Sequence, residues 1–202
     1  MRKLRFIDLV CFFLEELIKR ALAESFVEMC GVISLEKITV KEFIEYAGIS
    51  KQTFYNYFRD KADLMNYALQ IAIDDTFADY NQENFSLYGF TRSIFEKCLN
   101  RKQYYMQAVK FRTQNDFLSF FLEKAESFYE ELTINRAGKE FLTKKMKYYI
   151  RFNNYGAGHI FVDWIESGMK ESPDYMASLI VSAMPDELSS LILARNRSAG
   201  EN

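Results

Sequence analysis

The stretch TVKEFIEYAGISKQTFYNYF, Thr39 to Phe58, decides how this chain folds. Thr39 and Glu42 stand three apart in Thr-Val-Lys-Glu, the spacing of a capping box, in which a hydroxyl and a carboxylate satisfy free amides at a helix start. Val40, Phe43, Ile44 and Ala47 then share one helical face. Gly48 ends the helix by supplying the left-handed residue that such ends favour. Only Ile49 separates it from Ser50, a good N-cap for a second helix that ends near Phe58. Asp60 caps a third, from Lys61 towards Asp74 or beyond. Helix, three-residue turn, short helix, longer helix is the pattern of a helix-turn-helix. A helix of about two turns cannot support itself in water, so packing must hold the second one.

The rest of the chain fits an all-helical protein. It has 202 residues, 49% apolar and 27% charged, the balance of a soluble globular protein. Eight glycines and two prolines leave little material for turns. Leu17 to Met29 keeps helical spacing and stops at Gly31. Glu140 to Ser167 reads as one long helix ended by Gly168, with loops expected near Asn81–Ser86 and Asn135–Gly138. Ser172 and Pro173 open another helix, which Pro185 breaks after Met184. The N-terminal MRKLRFIDLVCFFLEELIKR imitates a signal peptide, but Asp8 interrupts its apolar run and Glu15-Glu16 follow without a cleavage site. It is too short for a membrane span of roughly 20 residues and reads as a helical extension, which implies no membrane association and a cytoplasmic location. Cys11, Cys30 and Cys98 are scattered and His159 is the single histidine, so no metal site and no cofactor are expected.

In a helix-turn-helix the second helix enters the major groove of double-stranded DNA. Phe54 and Phe58, with Ile49, should face inward. That leaves Lys51, Gln52, Thr53, Tyr55 and Tyr57 with outward access and Asn56 near the boundary. Lys51 can reach guanine acceptors or phosphate, and Gln52 can pair with adenine. Thr53 and Tyr55 can donate to phosphate oxygens, and Tyr57 can touch phosphate or a thymine methyl. Ser50 begins this helix and joins the set. Lys61 should lie where phosphate passes, and Thr39 and Lys41 should meet phosphate at the start of the supporting helix. Bulk charge adds nothing: residues 1–70 hold ten Lys/Arg and ten Asp/Glu. The same residues would also suit an ordinary solvated helix.

The run ITVKEFIEYAGISKQTFYNYFRDKADL, Ile38 to Leu64, closely resembles the DNA-binding region of TetR-family transcriptional regulators. Gly48, Ser50, Thr53, Tyr55, Phe58 and Lys61 all stand where that pattern wants them, and the match extends over roughly 12–72. The resemblance implies that Lys51, Gln52, Thr53, Tyr55, Tyr57 and Lys61 contact DNA. Asn56 fills a position often held by His. Farther on, NNYGAGHIFVDWIESGMKESPDYMASLI, Asn153 to Ile180, is similar to the C-terminal pattern of TetR-like regulators related to the activator of dihydroxyacetone kinase operons. That likeness implies a helical core and dimer interface, and neither the same ligand nor the same operon.

Two further sites follow as expectations. Tyr155, Gly156, His159, Phe161, Val162 and Ile165, with Met176, Leu179, Ile180 and Ala183, could form a four-helix interface between two copies, since two-fold operators need paired reading heads. The other reading is an internal core helix. His159 fits a hydrogen-bonded core or interface residue better than a sensor or metal ligand. Phe77, Tyr80, Tyr104, Phe111, Phe117 and Phe121 could line an apolar effector pocket, or simply a core.

The expected organisation is an N-terminal extension at 1–11, a TetR-type helix-turn-helix domain at 12–72, a helical ligand-binding and dimerisation domain at 73–195 and a flexible tail at 196–202. The expected function is a bacterial homodimeric transcription regulator on a palindromic operator, controlled by a small molecule or a coregulator protein. A helical binding protein that has lost DNA recognition is the alternative. Nothing resembles an enzyme: there is no nucleophile–base pair, glycine-rich phosphate loop or metal spacing.

Overall fold

A computed structural model describes residues 6–78, 85–110 and 117–193. Among the described residues the chain is helical and contains no strand. Ten α-helices follow in order: α1 Phe6–Cys30, α2 Val40–Ala47, α3 Lys51–Tyr57, α4 Lys61–Ala78, α5 Leu87–Asn100, α6 Lys102–Ala108, α7 Phe117–Ala137, α8 Lys144–Glu166, α9 Pro173–Ser182 and α10 Asp186–Leu193. The chain divides into two compact units, Met1–Ala72 and Ile73–Asn202. The expected tail at 196–202, most of the expected loop at 81–86 and the first five residues of the extension lie outside the described residues.

The first unit is held by a column of aromatic rings. Phe26 of α1 meets Phe43 of α2 edge-on at 5.8 Å, Phe43 meets Phe54 of α3 at 6.0 Å, Phe54 meets Phe58 at 6.0 Å, and Phe58 meets Tyr67 of α4 at 5.6 Å. Each such pair adds about 0.5–1.5 kcal/mol beyond burial. Every helix of the unit contributes at least one ring, so the column fixes all four together. Tyr67 closes it by donating to Glu16 Oε2 at 2.9 Å. Residues 6–11 of the expected extension form the start of α1, and the α1 side chains Ile7, Phe12, Phe13, Leu14 and Leu17 are exposed.

In the second unit α5 packs on α9 and α7 on α8. Leu132, Ile150, Leu188 and Ile192 are fully buried in a cluster shared by α7, α8 and α10. A second, aromatic cluster joins Phe95, Phe121, Phe161 and Trp164, with ring centroids 4.9–6.1 Å apart. Two expected boundaries move. No loop opens at Asn135, because α7 runs through Ala137 to Gly138 at φ 115°. The long helix starts at Lys144 rather than Glu140, because residues 139–141 form a single tight turn and Thr143 provides the N-cap, accepting from Met146 N at 3.2 Å. Among the described residues no single helix is long and apolar enough to cross a membrane.

Candidate nucleic-acid interface

The capping box forms as its spacing predicts. Thr39 Oγ1 accepts from Glu42 N at 3.2 Å, and Thr39 N–H donates to the Glu42 carboxylate at 2.8 Å. Gly48 takes a left-handed φ of 65°, closing α2 through bonds to Glu45 and Ile44 carbonyls. Ser50 then caps α3, accepting from Thr53 N at 3.0 Å. These bonds turn the chain sharply within three residues and set α3 beside α2. Phe54 and Phe58 point into the ring column, 0% and 3% exposed, and Ile49 is half-buried. The face left outward carries Lys51, Gln52, Tyr55 and Asn56, all exposed, with Thr53 and Tyr57 half-buried at its edges.

Two arrangements on this face are organised in advance. Gln52 Nε2 donates to Asn56 Oδ1 at 2.9 Å, one helical turn apart. The pair leaves the Gln52 carbonyl as acceptor and the Asn56 amide as donor. The Lys51 ammonium lies 5.9 Å from the centre of the Tyr55 ring, so charge and phenol are presented together.

Other expected contacts already hold partners within the chain. Thr39 Oγ1 donates to Glu42 Oε2 at 2.8 Å, and the Glu42 carboxyl is held below its usual range, first by the Thr39 N–H and next by its hydroxyl. The Glu42 carboxylate thus lies at the start of α2, and Thr39 serves there as the capping residue. Lys61 is half-buried, and its ammonium donates to the carbonyls of Leu35 at 3.0 Å and Glu36 at 3.5 Å. It staples the loop before α2 to α4 instead of extending freely. The hydroxyls of Ser50 and Thr53 bond to each other at 2.8 Å, so they serve the turn first. Lys41 is exposed on α2. Arg59, absent from the expected set, is engaged with Asp63 at 3.4 Å.

The expected effector and interface residues divide. Phe77 and Phe121 line one interior cavity of about 40 Å³, together with Phe161 and Ile180. Tyr104 and Phe117 do not line it: Tyr104 meets Tyr105 edge-on, and Tyr105 meets Phe117 edge-on, in adjoining core. Tyr80 and Phe111 lie outside the described residues. Of the expected interface, Tyr155, Gly156, His159, Leu179 and Ala183 are exposed and Val162 is half-buried. Phe161, Ile165, Met176 and Ile180 are not available to a partner, because they are 0–7% exposed inside the unit's own core. Exposed aromatic and aliphatic side chains outside the expected set are Tyr148, Phe152 and Ile160 on α8 and Tyr175 on α9. Tyr148, Phe152, Tyr155 and His159 recur every three to four residues, and that periodicity is the signal in the sequence that marks them. His159 Nδ1 pairs with the Tyr155 carbonyl at 2.7 Å. Among the described residues no group of three or more His, Cys, Asp or Glu is placed to hold a metal. Burial pushes the Cys30 thiol up to about 12 and Cys98 well above its ordinary value, which leaves both inert.

A capped, ring-anchored short helix presenting amides and phenols after a tight glycine turn defines a helix-turn-helix transcriptional regulator. Residues 34–68 match the family model of bacterial regulatory proteins of the tetR family, and residues 85–186, just over half of the chain, match that of a transcriptional regulator C-terminal region of the TetR type. The chain belongs to the TetR family of transcriptional regulators and is not an enzyme. It is similar to the HTH-type dhaKLM operon transcriptional activator of Lactococcus lactis subsp. lactis (strain IL1403), 24% identical over 123 residues. That match covers 60% of this chain and 63% of the relative, less than two thirds of its length. The solved structure of a dihydroxyacetone kinase operon activator superposes with a TM-score of 0.65 at 18% identity, covering 88% of this chain and 97% of that one. That likeness is one of fold.

Proposed function

We propose that this regulator binds a palindromic operator as a homodimer through α3, and that an effector acting on its C-terminal domain, residues 73–195, sets its DNA affinity. The observation that carries the reading is the outward face of α3. Lys51, Gln52, Tyr55 and Asn56 are exposed on a helix whose other side is locked by Phe54 and Phe58. Such a helix presents base-reading groups without moving. Lys41 and Lys51 are exposed cations within this motif, with Lys37 and Arg59 exposed at its two ends, which answers the net neutrality of residues 1–70: the positive charge need only be local. Thr53 and Tyr57 complete the proposed contacts at the edges, with Ser50 as the cap that aims the helix.

A mobility-shift titration against salt tests this. Operator DNA, first selected from a random pool, should bind with a steep salt dependence. Lys51→Ala should flatten the slope of log affinity against log salt by roughly 0.9 per half-site, so about 1.8 for a dimer. An unchanged slope would remove Lys51 from the phosphate contacts. Failure to select any sequence would favour a helical protein that has lost DNA recognition.

The dimer is proposed to form on α8 and α9, where Phe152 is 77% exposed, Tyr175 59% and Tyr155 51%. Rings so exposed suit an interface better than solvent. Phe152→Glu should weaken self-association by about 2 kcal/mol, roughly thirtyfold, measured by sedimentation equilibrium. Unaltered association would move the interface elsewhere. The effector is a small molecule or a partner protein, and the genes beside this one are the natural candidates for its operator.

A further inference from the structure

The cavity of about 40 Å³ in the C-terminal unit has an unusual wall. Phe77, Phe121 and Phe161 supply its apolar sides, while Asn153 and Asn154, consecutive in mid-α8, supply amides. Asn153 is 8% and Asn154 4% exposed. Buried amides among phenylalanines cost free energy unless they are paired. The Asn154 Nδ2 group is buried and donates to no protein atom. Thr91, also in the wall, is satisfied, its hydroxyl donating to the Leu87 carbonyl at 2.8 Å. Burial raises the Tyr129 phenol above its ordinary value, so it too adds no charge. Among the described residues no charged side chain lines this space.

Asn154 borders a second space as well. A groove of about 470 Å³ runs along α7 and α8, walled by Leu118, Leu122, Arg151 and Asn154 among others. Asn154 therefore borders both the cavity and a groove accessible from outside.

We propose that the cavity is a binding site for a small uncharged organic molecule that offers a carbonyl or hydroxyl oxygen to Nδ2 of Asn154, with the groove as its way in. A buried donor calls for an acceptor. The absence of a counter-charge excludes an ion, which would be buried unpaired. The rings take the carbon frame of the ligand. At about 10–15 Å³ for each water-sized position, the space admits roughly three or four heavy atoms, far fewer than the drug-sized ligands that fill about 300–1,000 Å³. The site deepens the effector reading given above and rests on it for any regulatory consequence. Its occupancy does not depend on DNA.

Acetamide and acetate, alike in shape and different in charge, are the probes. They are titrated into the full-length ¹⁵N-labelled protein while the Asn154 side-chain amide resonance is followed. Acetamide should bind saturably, no tighter than tens of micromolar for about four heavy atoms, and move that resonance. Acetate should bind at least tenfold more weakly. Asn154→Leu should lose acetamide binding tenfold or more. Equal binding of both probes would overturn the proposal, and so would an amide that contacts an ordered water only and never saturates. If Asn154→Leu fails to fold, the wild-type comparison of the two probes decides by itself. Since no DNA is present, failure here leaves the DNA-binding reading standing, and loss of DNA binding leaves this site standing.

Discussion

Phe54→Ala should destabilise the N-terminal unit by about 3–5 kcal/mol and bring it to the edge of unfolding. Phe54 is 0% exposed and touches the rings of Phe43, Tyr55 and Phe58 at 5.2–6.0 Å. Truncating a buried phenylalanine costs about 3–5 kcal/mol through lost transfer energy and the void left behind. A small domain has only about 5–15 kcal/mol in hand. The column makes the loss worse than an isolated cavity, because Phe54 is its middle member and α3 has no other fully buried ring. Amide hydrogen exchange should show residues 40–70 losing protection while α8 and α10 keep theirs. Retained protection in α3 would mean the column is not what holds it.

The second large effect concerns the amide pair on α3. Gln52 and Asn56, joined at 2.9 Å, together show an acceptor and a donor. That combination matches N6 and N7 of adenine, whereas guanine shows two acceptors at the same edge. A good bidentate contact is worth about 1–3 kcal/mol of discrimination, and a two-fold complex makes it twice. Gln52→Ala or Asn56→Ala should therefore weaken operator binding by about 2–6 kcal/mol, and the double variant should cost little more than either single one. Strictly additive losses would mean the two residues act separately. A guanine at that position in selected operators would sink the adenine assignment while leaving the helix in the groove.

The first unit is nearly all legible from local chemistry. The Thr39–Glu42 box, the left-handed Gly48 and the Ser50 cap are interactions within four residues of sequence, so their spacing carries them. Lys61 is not legible in this way, because its partners, the Leu35 and Glu36 carbonyls, are 25–26 residues away. Thr39 differs again. Its capping box is plain in the sequence, and the box places the Glu42 carboxylate at the start of α2. In the second unit, apolar side chains at helical spacing mark the helices well and their faces poorly. Phe161 and Phe152 both belong to α8 and to the same apolar pattern; one is 4% exposed and the other 77%. Which face turns inward depends on α7 and the other helices packed around α8, and no spacing within α8 encodes that. The expected pocket departs from the cavity in part for the same reason: Tyr104 and Phe117 are as aromatic as Phe77 and are simply elsewhere in the core.

Trp164 has an optical consequence. It is the single tryptophan of the chain, 2% exposed, with its indole N–H donating to the Glu171 carbonyl at 3.0 Å. Its ring lies 6.1 Å from Phe161, a wall of the cavity. Emission excited at the red edge of the indole band therefore comes from the C-terminal unit alone. The protein carries a built-in, label-free fluorophore beside its cavity and none in its reading head, so the two halves can be watched by separate spectroscopies in one cuvette.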